Sequence, residues 1–413
     1  MVCYFDYNRN MTELVRSAYL QRLKSYLSAP AVTVVTGLRR VGKSVLLRQL
    51  AGLLASESNV VYVDKESLAY DGLRTASDLL VHVEQECGGG SDGAYVIVDE
   101  VQEIEGWQPA VADLNAREGV KVVVAGSNAS LLAGELATGL AGRYLSLSVF
   151  PLSLQEFADL YELTQGAVLA RERLLDTYLT LGGLPGVLHT DLSDEVVLQM
   201  LRDVFNTIAL RDVIARHHIR DAALFEAVTS FAFDTAGSPL SAKRIADVLR
   251  SRRRSVTVDT VLNYLRYLTD AFVLHEVPRF DIRGKRRLEV NNKYYVGDIG
   301  IRRGLLGRQA EDLSGLLENL VYLELRQRGF DVLVGNLGEL EIDFLAMRGP
   351  ARTYIQVAYV IESSTTLERE LRPLLSAPDA YPRVLITMDA LEPGRLEGVR
   401  WVNLLDFLLG GEL

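Results

Sequence analysis

The octapeptide Gly37-Leu38-Arg39-Arg40-Val41-Gly42-Lys43-Ser44 constrains this chain more than any other stretch. Glycine, four residues, then glycine-lysine-serine is the Walker A spacing. A nucleoside triphosphate presents dense negative charge and needs many backbone N–H donors at close range. Glycines let the chain curl tightly and remove the Cβ atoms that would block that approach. Lys43 is placed to reach the β- and γ-phosphates, and the Ser44 hydroxyl to hold Mg²⁺. Gly37, Arg40, Gly42 and Val45 are counted with them as nucleotide-binding positions. The flanks agree with this reading. Ala31-Val32-Thr33-Val34-Val35-Thr36 is an apolar, β-branched run that predicts a buried strand, and Val45 to Ala51 is apolar at helical spacing. Strand, glycine loop and helix put a helix N-terminus at the phosphates, which adds its own affinity for anions.

Composition bounds the rest. A length of 413 residues predicts roughly two to three domains. With 48% hydrophobic and 24% charged residues the chain can bury globular cores. No run of about 18 uncharged apolar residues is present, so no membrane span is expected. Met1 to Asn10 is polar and lacks the apolar region of a signal peptide. The two cysteines, Cys3 and Cys87, make neither a disulfide framework nor a metal pattern, and a cytoplasmic location is the expectation. The adjacent His217 and His218 point to different sides of a helix and read as surface residues. A net charge of −10 argues against a protein that coats nucleic acid with its whole surface. Two local basic clusters remain, Arg250-Ser251-Arg252-Arg253-Arg254 and Arg283-Gly284-Lys285-Arg286-Arg287.

From about residue 30 to 155, strand and helix patterns alternate, which predicts a parallel α/β sheet. Ala94 to Val98 is an apolar strand ending in Asp99-Glu100, the Walker B pattern. Asp99 would hold Mg²⁺, and Glu100 would orient and polarise the attacking water as general base. By itself such an acidic pair also fits a helix N-terminus. A fourth strand ends in Gly126-Ser127-Asn128, beyond the carboxyl end where open sheets bind ligands. Ser127 or Asn128 there can position the water or the γ-phosphate, or simply cap the next helix. Arg143, between that helix and a fifth strand at Tyr144 to Val149, can act as a finger on a neighbouring subunit's γ-phosphate or satisfy helix carbonyls.

This order of motifs resembles the AAA+ ATPases, and is similar to a bacterial and archaeal group in which the AAA+ core precedes a separate C-terminal region. The residues that carry the resemblance are Gly37 to Ser44, Val98-Asp99-Glu100-Val101-Gln102, Trp107, Gly126-Ser127-Asn128, Leu140-Ala141-Gly142-Arg143-Tyr144 and Phe150-Pro151-Leu152-Ser153. The resemblance implies ATP and Mg²⁺ as cofactors, Asn128 as the first sensor, Arg143 as the finger, and a homo-oligomeric ring, a hexamer. Leu181-Gly182-Gly183-Leu184-Pro185-Gly186 is similar to the Gly-x-Pro turn of STAND-type signalling ATPases. There the turn packs near the adenine, which puts Gly183 and Pro185 among the nucleotide-binding residues. A plain helix-helix turn is the alternative. Arg211 is either a second nucleotide sensor or a helical ion-pair partner.

Residues about 222 to 296 have the sequence shape of a winged helix. One helix covers Phe225 to Phe233, a second is capped by Ser241, and a third covers Thr257 to Leu268. Strand-like runs follow at Phe272 to Phe280 and Tyr294 to Val296, with Gly284 at a turn between them. The basic clusters flank the third helix, so Arg250, Arg252, Arg253, Arg254, Lys285, Arg286 and Arg287 are the candidate DNA-phosphate contacts. A solvated loop or a protein-binding winged helix fits the same residues. After about residue 311, a helix with Glu318 precedes a strand with Asp343 and a strand with Gln356 and Ala358. That order resembles PD-(D/E)XK nucleases, in which acids hold Mg²⁺ and a lysine helps to activate water. Gln356 stands where the second acid belongs and Ala358 where the lysine belongs. A degenerate, silent nuclease-like fold is therefore expected.

The expected architecture is α/β: a P-loop AAA+ core over 1–160, a helical lid over 161–221, a winged helix over 222–305 and a nuclease-like domain over 306–413. The expected function is ATP hydrolysis coupled to conformational change on DNA. A STAND-like switch binding a protein partner, or an active nuclease, are the alternatives.

Overall fold

The computed structural model describes residues 13–56, 58–87, 93–129, 142–288, 291–307, 313–389 and 395–413. The chain forms two compact units. The first holds the residues up to Pro151 with Glu156–Leu169 and Leu184–Leu192; the second holds Leu152–Gln155, Ala170–Gly183 and Ser193–Leu413.

The first unit is built on β1 (Val32–Thr36), β2 (Val60–Asp64), β3 (Tyr95–Asp99), β4 (Lys121–Gly126) and β5 (Tyr144–Ser148). All the pairings are parallel, in the order β2-β3-β4-β1-β5. Strands covered on both faces read as largely apolar, β-branched runs, and β1, Val-Thr-Val-Val-Thr, is buried throughout. On one face α3 (Ala76–Glu86) and α4 (Trp107–Ala116) close a core of Val34, Val96, Val122, Leu79, Trp107 and Leu114. A capping box starts α3: the Thr75 hydroxyl accepts the Asp78 N–H at 3.3 Å, and the Asp78 carboxylate accepts the Thr75 N–H at 2.8 Å. The unit also holds α1 (Ser17–Leu27) and α2 (Lys43–Leu54), which follows the glycine loop directly.

After α5 (Leu154–Gln165), the second unit runs through α6 (Arg171–Leu181), α7 (Asp194–Thr207), α8 (Ala222–Asp234), α9 (Ala242–Ser251) and α10 (Val258–Asp270). Between α7 and α8, Ile208–Ala215 is wound as a π-helix, and His217 beyond it is half-buried, stacked on Tyr267 at 3.6 Å. The Ser241 hydroxyl caps α9, accepting the Arg244 N–H. The strand-like run at Phe272 to Phe280 is two strands. Pro278 carries no N–H for a ladder, and β6 (Leu274–Val277) and β7 (Arg279–Asp281) lie on either side of it in different sheets. β6 pairs with β9 (Lys293–Val296), whereas β7 turns through Gly284 into β8 (Arg286–Arg287).

α11 (Ile299–Leu306) and α12 (Leu313–Gln327) then lead into a mixed sheet. Its remaining members are β10 (Asp331–Leu337), β11 (Leu340–Arg348), β12 (Ala351–Val357), β13 (Arg383–Thr387), β14 (Arg395–Leu396) and β15 (Val399–Asn403), with α13 (Ser364–Leu375) and the terminal α14 (Leu404–Leu408). The order is β14-β15-β13-β12-β11-β10-β7-β8. Among the described residues, no helix is long and apolar enough to cross a membrane.

Candidate nucleotide site

The phosphate loop leaves the carboxyl end of β1 and ends at Gly42, the residue before α2. Two glycines shape it for different reasons. At Gly37 (φ 150°) a Cβ would stand 2.2 Å from the Val149 carbonyl oxygen, so no side chain fits. Gly42 takes a left-handed conformation (φ 94°) and lies against Pro185, whose Cγ would be 3.8 Å from a Cβ there. Pro185 therefore borders the loop. The backbone of Gly183 is engaged on both sides: its N–H goes to Asp298 Oδ2 at 2.7 Å, and its carbonyl accepts the Leu152 N–H at 2.8 Å.

Lys43 is buried, and its Nζ donates to the carbonyls of Gly37 (3.0 Å) and Leu38 (3.1 Å). The ammonium is thus folded into the loop that would surround the phosphates. Ser44 opens the same helix, and Val45 follows it on the first turn. Arg40 is exposed with a positive φ of 67°.

Asp99 and Glu100 are both buried at the end of β3. Asp99 Oδ1 accepts the Glu100 N–H at 3.0 Å. Its Oδ2 is buried and accepts no well-formed hydrogen bond, although the Ser44 hydroxyl lies close enough to favour the charged carboxylate. Burial pushes Asp99 up to about 6, with the neighbouring Glu100 adding to the rise against Ser44 and Lys43. A buried, under-coordinated carboxylate beside a hydroxyl is a donor set of hard oxygens, and it fits Mg²⁺. Glu100 sits in the left-handed region (φ 50°), which turns its carboxylate out of the strand direction. Gln102 Nε2 donates to Glu100 Oε2, and Ser127 Oγ donates to the same oxygen at 3.3 Å. The tip of β4 therefore supplies Ser127 directly to the candidate base, with the buried Asn128 next to it.

Arg143 lies elsewhere. Val32 pairs with Tyr144 and Thr36 with Ser148, so Arg143 marks the amino end of β5 and the loop marks the carboxyl end of β1. Five strand residues separate those ends, about 16 Å. Arg143 is exposed, and its carbonyl accepts the Val32 N–H. The same chain's site does not receive it. Leu140 and Ala141 of that motif lie outside the described residues, as does the helix expected at Leu131-Leu132.

Two supports escaped sequence reasoning. Arg39 is buried within the loop and pairs with Glu66 just beyond β2 at 3.0 Å. Arg16 is buried and bidentate on Glu156 (2.9 and 2.8 Å), and it also donates to the carbonyls of Val41, Phe150 and Pro151. It fastens the loop to the segment after β5. A lone arginine near a helix start carries no signal for such a task.

In the second unit every candidate DNA contact is exposed. Arg250 donates to the Val256 carbonyl and pairs with Asp247 at 3.1 Å, and Arg254 donates to the Ala223 carbonyl. Arg252 and Arg253 complete the turn before α10, while Lys285, Arg286 and Arg287 lie on the β7–β8 hairpin. Glu318, Asp343 and Gln356 lie close together: Asp343 N–H reaches Gln356 Oε1 at 3.4 Å, and one lysine pairs with both acids.

A parallel sheet with a glycine loop after β1 and two buried acids after β3 defines a P-loop ATPase fold of the AAA class. Residues 29–158 match the family described as AAA domain, and residues 172–312 match a domain of unknown function, DUF8612. An uncharacterized protein of Haemophilus influenzae is 34% identical over 398 residues, covering 95% of this chain and 98% of its own. The chain belongs to the same family as that protein. An uncharacterized protein of Methanocaldococcus jannaschii is 27% identical over 358 residues, 83% of this chain and 77% of its own. Among solved structures, a Walker-type ATPase of Pyrococcus abyssi is similar with a TM-score of 0.53 at 17% identity, over 71% of this chain and 96% of that one. At that identity the likeness speaks to fold alone. Fold and AAA domain together support a nucleotide-hydrolysing function.

Proposed function

We propose that this protein hydrolyses ATP in a Mg²⁺-dependent reaction and uses the turnover to drive conformational change on DNA. The observation that carries the reading is the meeting of Lys43, Ser44, Asp99, Glu100 and Ser127 at one end of the parallel sheet. Ser44 and Asp99 would hold Mg²⁺, which neutralises charge on the β- and γ-phosphates when bound. Lys43 turns toward the phosphate oxygens while remaining between them and the loop carbonyls. Glu100, with Oε2 engaged by Gln102 and Ser127, keeps its carboxylate oriented to take a proton from water. Asn128, as first sensor, positions that water or the γ-phosphate.

Arg143 acts in a neighbouring copy, because its own loop lies at the opposite end of the strands. This requires a homo-oligomer, and the AAA+ resemblance makes it a ring, a hexamer. Arg143→Ala then keeps nucleotide affinity but loses turnover. Mixing it with Lys43→Ala protein restores activity, because a mixed interface pairs an intact loop with an intact finger. Steady-state ATPase of the mixture checks this; failure to complement removes the finger role.

In this reading residues 1–160 are the ATPase core, 161–221 the lid, 222–305 a winged helix and 306–413 a nuclease-like domain. Clustered exposed arginines suit phosphate contact. ATPase rates with and without single-stranded, duplex and branched DNA, alongside solution mass with ATP, test it. DNA stimulates turnover by several-fold; a rate indifferent to all three DNAs removes DNA as the substrate.

One observation favours a second reading, a nucleotide-controlled switch that binds a protein partner. The solvent face of α10 carries Asp259, Leu262, Asn263 and Arg266, one acid and one base around an exposed leucine, with no excess of positive charge to meet phosphates. Indifference to DNA with slow turnover selects the switch.

A further inference from the structure

The acids of the C-terminal sheet already have a cation. β9 is buried throughout, and its alternation puts Lys293 and Tyr295 on one face. Lys293 Nζ lies 2.8 Å from Glu318 Oε1 on α12, 2.8 Å from Glu341 Oε1 on β11, and 3.7 Å from Asp343 Oδ1 two residues further along β11. Its side chain is only 3% exposed. The Tyr295 hydroxyl donates to the same Glu318 oxygen, and the Val357 N–H takes Asp343 Oδ2 at 2.9 Å. Gln356 spends its amide on Glu370 and the Asp343 N–H.

The nuclease resemblance implies Mg²⁺ on these acids, and the residues present do not fit one. A divalent ion needs several anionic oxygens at close range, and here an ammonium occupies them. Burial opposes the charge on Lys293, but Glu318, Asp343 and Glu341 outweigh it and hold its pKa well above the usual range. The lysine is also fixed in place. Asn319 of α12 accepts the Val296 N–H at 2.8 Å and donates to the Val296 carbonyl at 3.0 Å, which fastens β9 alongside the helix that bears Glu318. Among the described residues, no cluster of three acids, histidines or cysteines is arranged to hold a metal.

We propose that Lys293 is the resident cation of this cluster: its ammonium takes the position of a divalent ion, so that Glu318, Glu341 and Asp343 clamp β9 to α12 and β11 instead of binding metal. The chemistry is a covalently tethered monovalent cation in place of a dissociable divalent one. Its removal leaves the buried Asp343 beside the half-buried Glu318 and Glu341, with only Arg279, 3.9 Å from the far oxygen of Glu341, as a remaining cation, an arrangement that recruits divalent ions.

The test is a Mn²⁺ titration of the nucleotide-free full chain, followed by the electron paramagnetic resonance of free Mn²⁺ and by thermal unfolding. Wild-type protein shows no Mn²⁺ site that depends on Glu318. Lys293→Met melts lower than wild type and gains one Mn²⁺ site, at least about tenfold tighter than anything in wild type. Saturating Mn²⁺ raises its melting temperature by about 5 °C. Adding Glu318→Gln to Lys293→Met abolishes the new site. Should Lys293→Met not fold, Lys293→Gln, which keeps a donor toward Glu318, makes the same comparison, and folding of either variant only with Mn²⁺ present counts as the gained site. A wild-type Mn²⁺ site lost in Glu318→Gln overturns the proposal, as does a folded Lys293 variant that gains none.

Discussion

Glu100→Gln keeps nucleotide affinity within about threefold and loses turnover by about 10²–10⁴, the usual contribution of a positioned general base. The change is nearly isosteric, so the left-handed turn at residue 100 and the Asp99 Oδ1 bond to the backbone N–H stay as they are. What disappears is the anionic oxygen that Gln102 and Ser127 hold in place. An amide has no basic site for a proton from water. Nucleotide binding by fluorescence and single-turnover hydrolysis, measured side by side, separate the two effects. Normal turnover in this variant removes Glu100 from the chemistry and moves the base elsewhere.

Lys43→Ala loses both quantities. Its ammonium is buried in the loop with Gly37 and Leu38 carbonyls as partners. Those carbonyls repel phosphate oxygens unless a cation lies between them. Alanine leaves the glycine geometry intact and removes that cation, so ATP affinity falls by at least about tenfold and turnover by about 10³ or more. The contrast with Glu100→Gln is the informative part: one variant binds without cleaving, the other does neither. Wild-type affinity in Lys43→Ala sinks the phosphate role of the loop.

The nucleotide site was legible because its chemistry is local. Gly37 to Ser44 is one contiguous stretch, and Asp99-Glu100 closes an apolar strand. Chain neighbours stay neighbours, so spacing alone placed Lys43 and Ser44 at the head of a helix. The Ser241 cap was legible for the same reason. Partners far apart in sequence were not. Arg16 reaches Glu156 across 140 residues, and nothing in either stretch points to the other. The run Phe272 to Phe280 read as one strand-like stretch although Pro278 stands within it, and the sheet pairings show that β6 and β7 part company there.

Lys293 is the instructive case. The pattern seeks a lysine two residues after Gln356 and finds Ala358, which implies that the site lacks a cation. The cation arrives on β9, from another part of the chain. One signal was available: Lys293 heads the run Lys-Tyr-Tyr-Val, and a lysine on a strand otherwise fit for burial needs an anionic partner.

The division of the chain between its two units has a consequence for its synthesis and cleavage. The backbone passes from one unit to the other after Pro151, Gln155, Leu169, Gly183 and Leu192. No single scission liberates either unit whole, and a ribosome must deliver the chain through Leu192 before the first can close. Freeing the first unit by proteolysis therefore takes more than one cut.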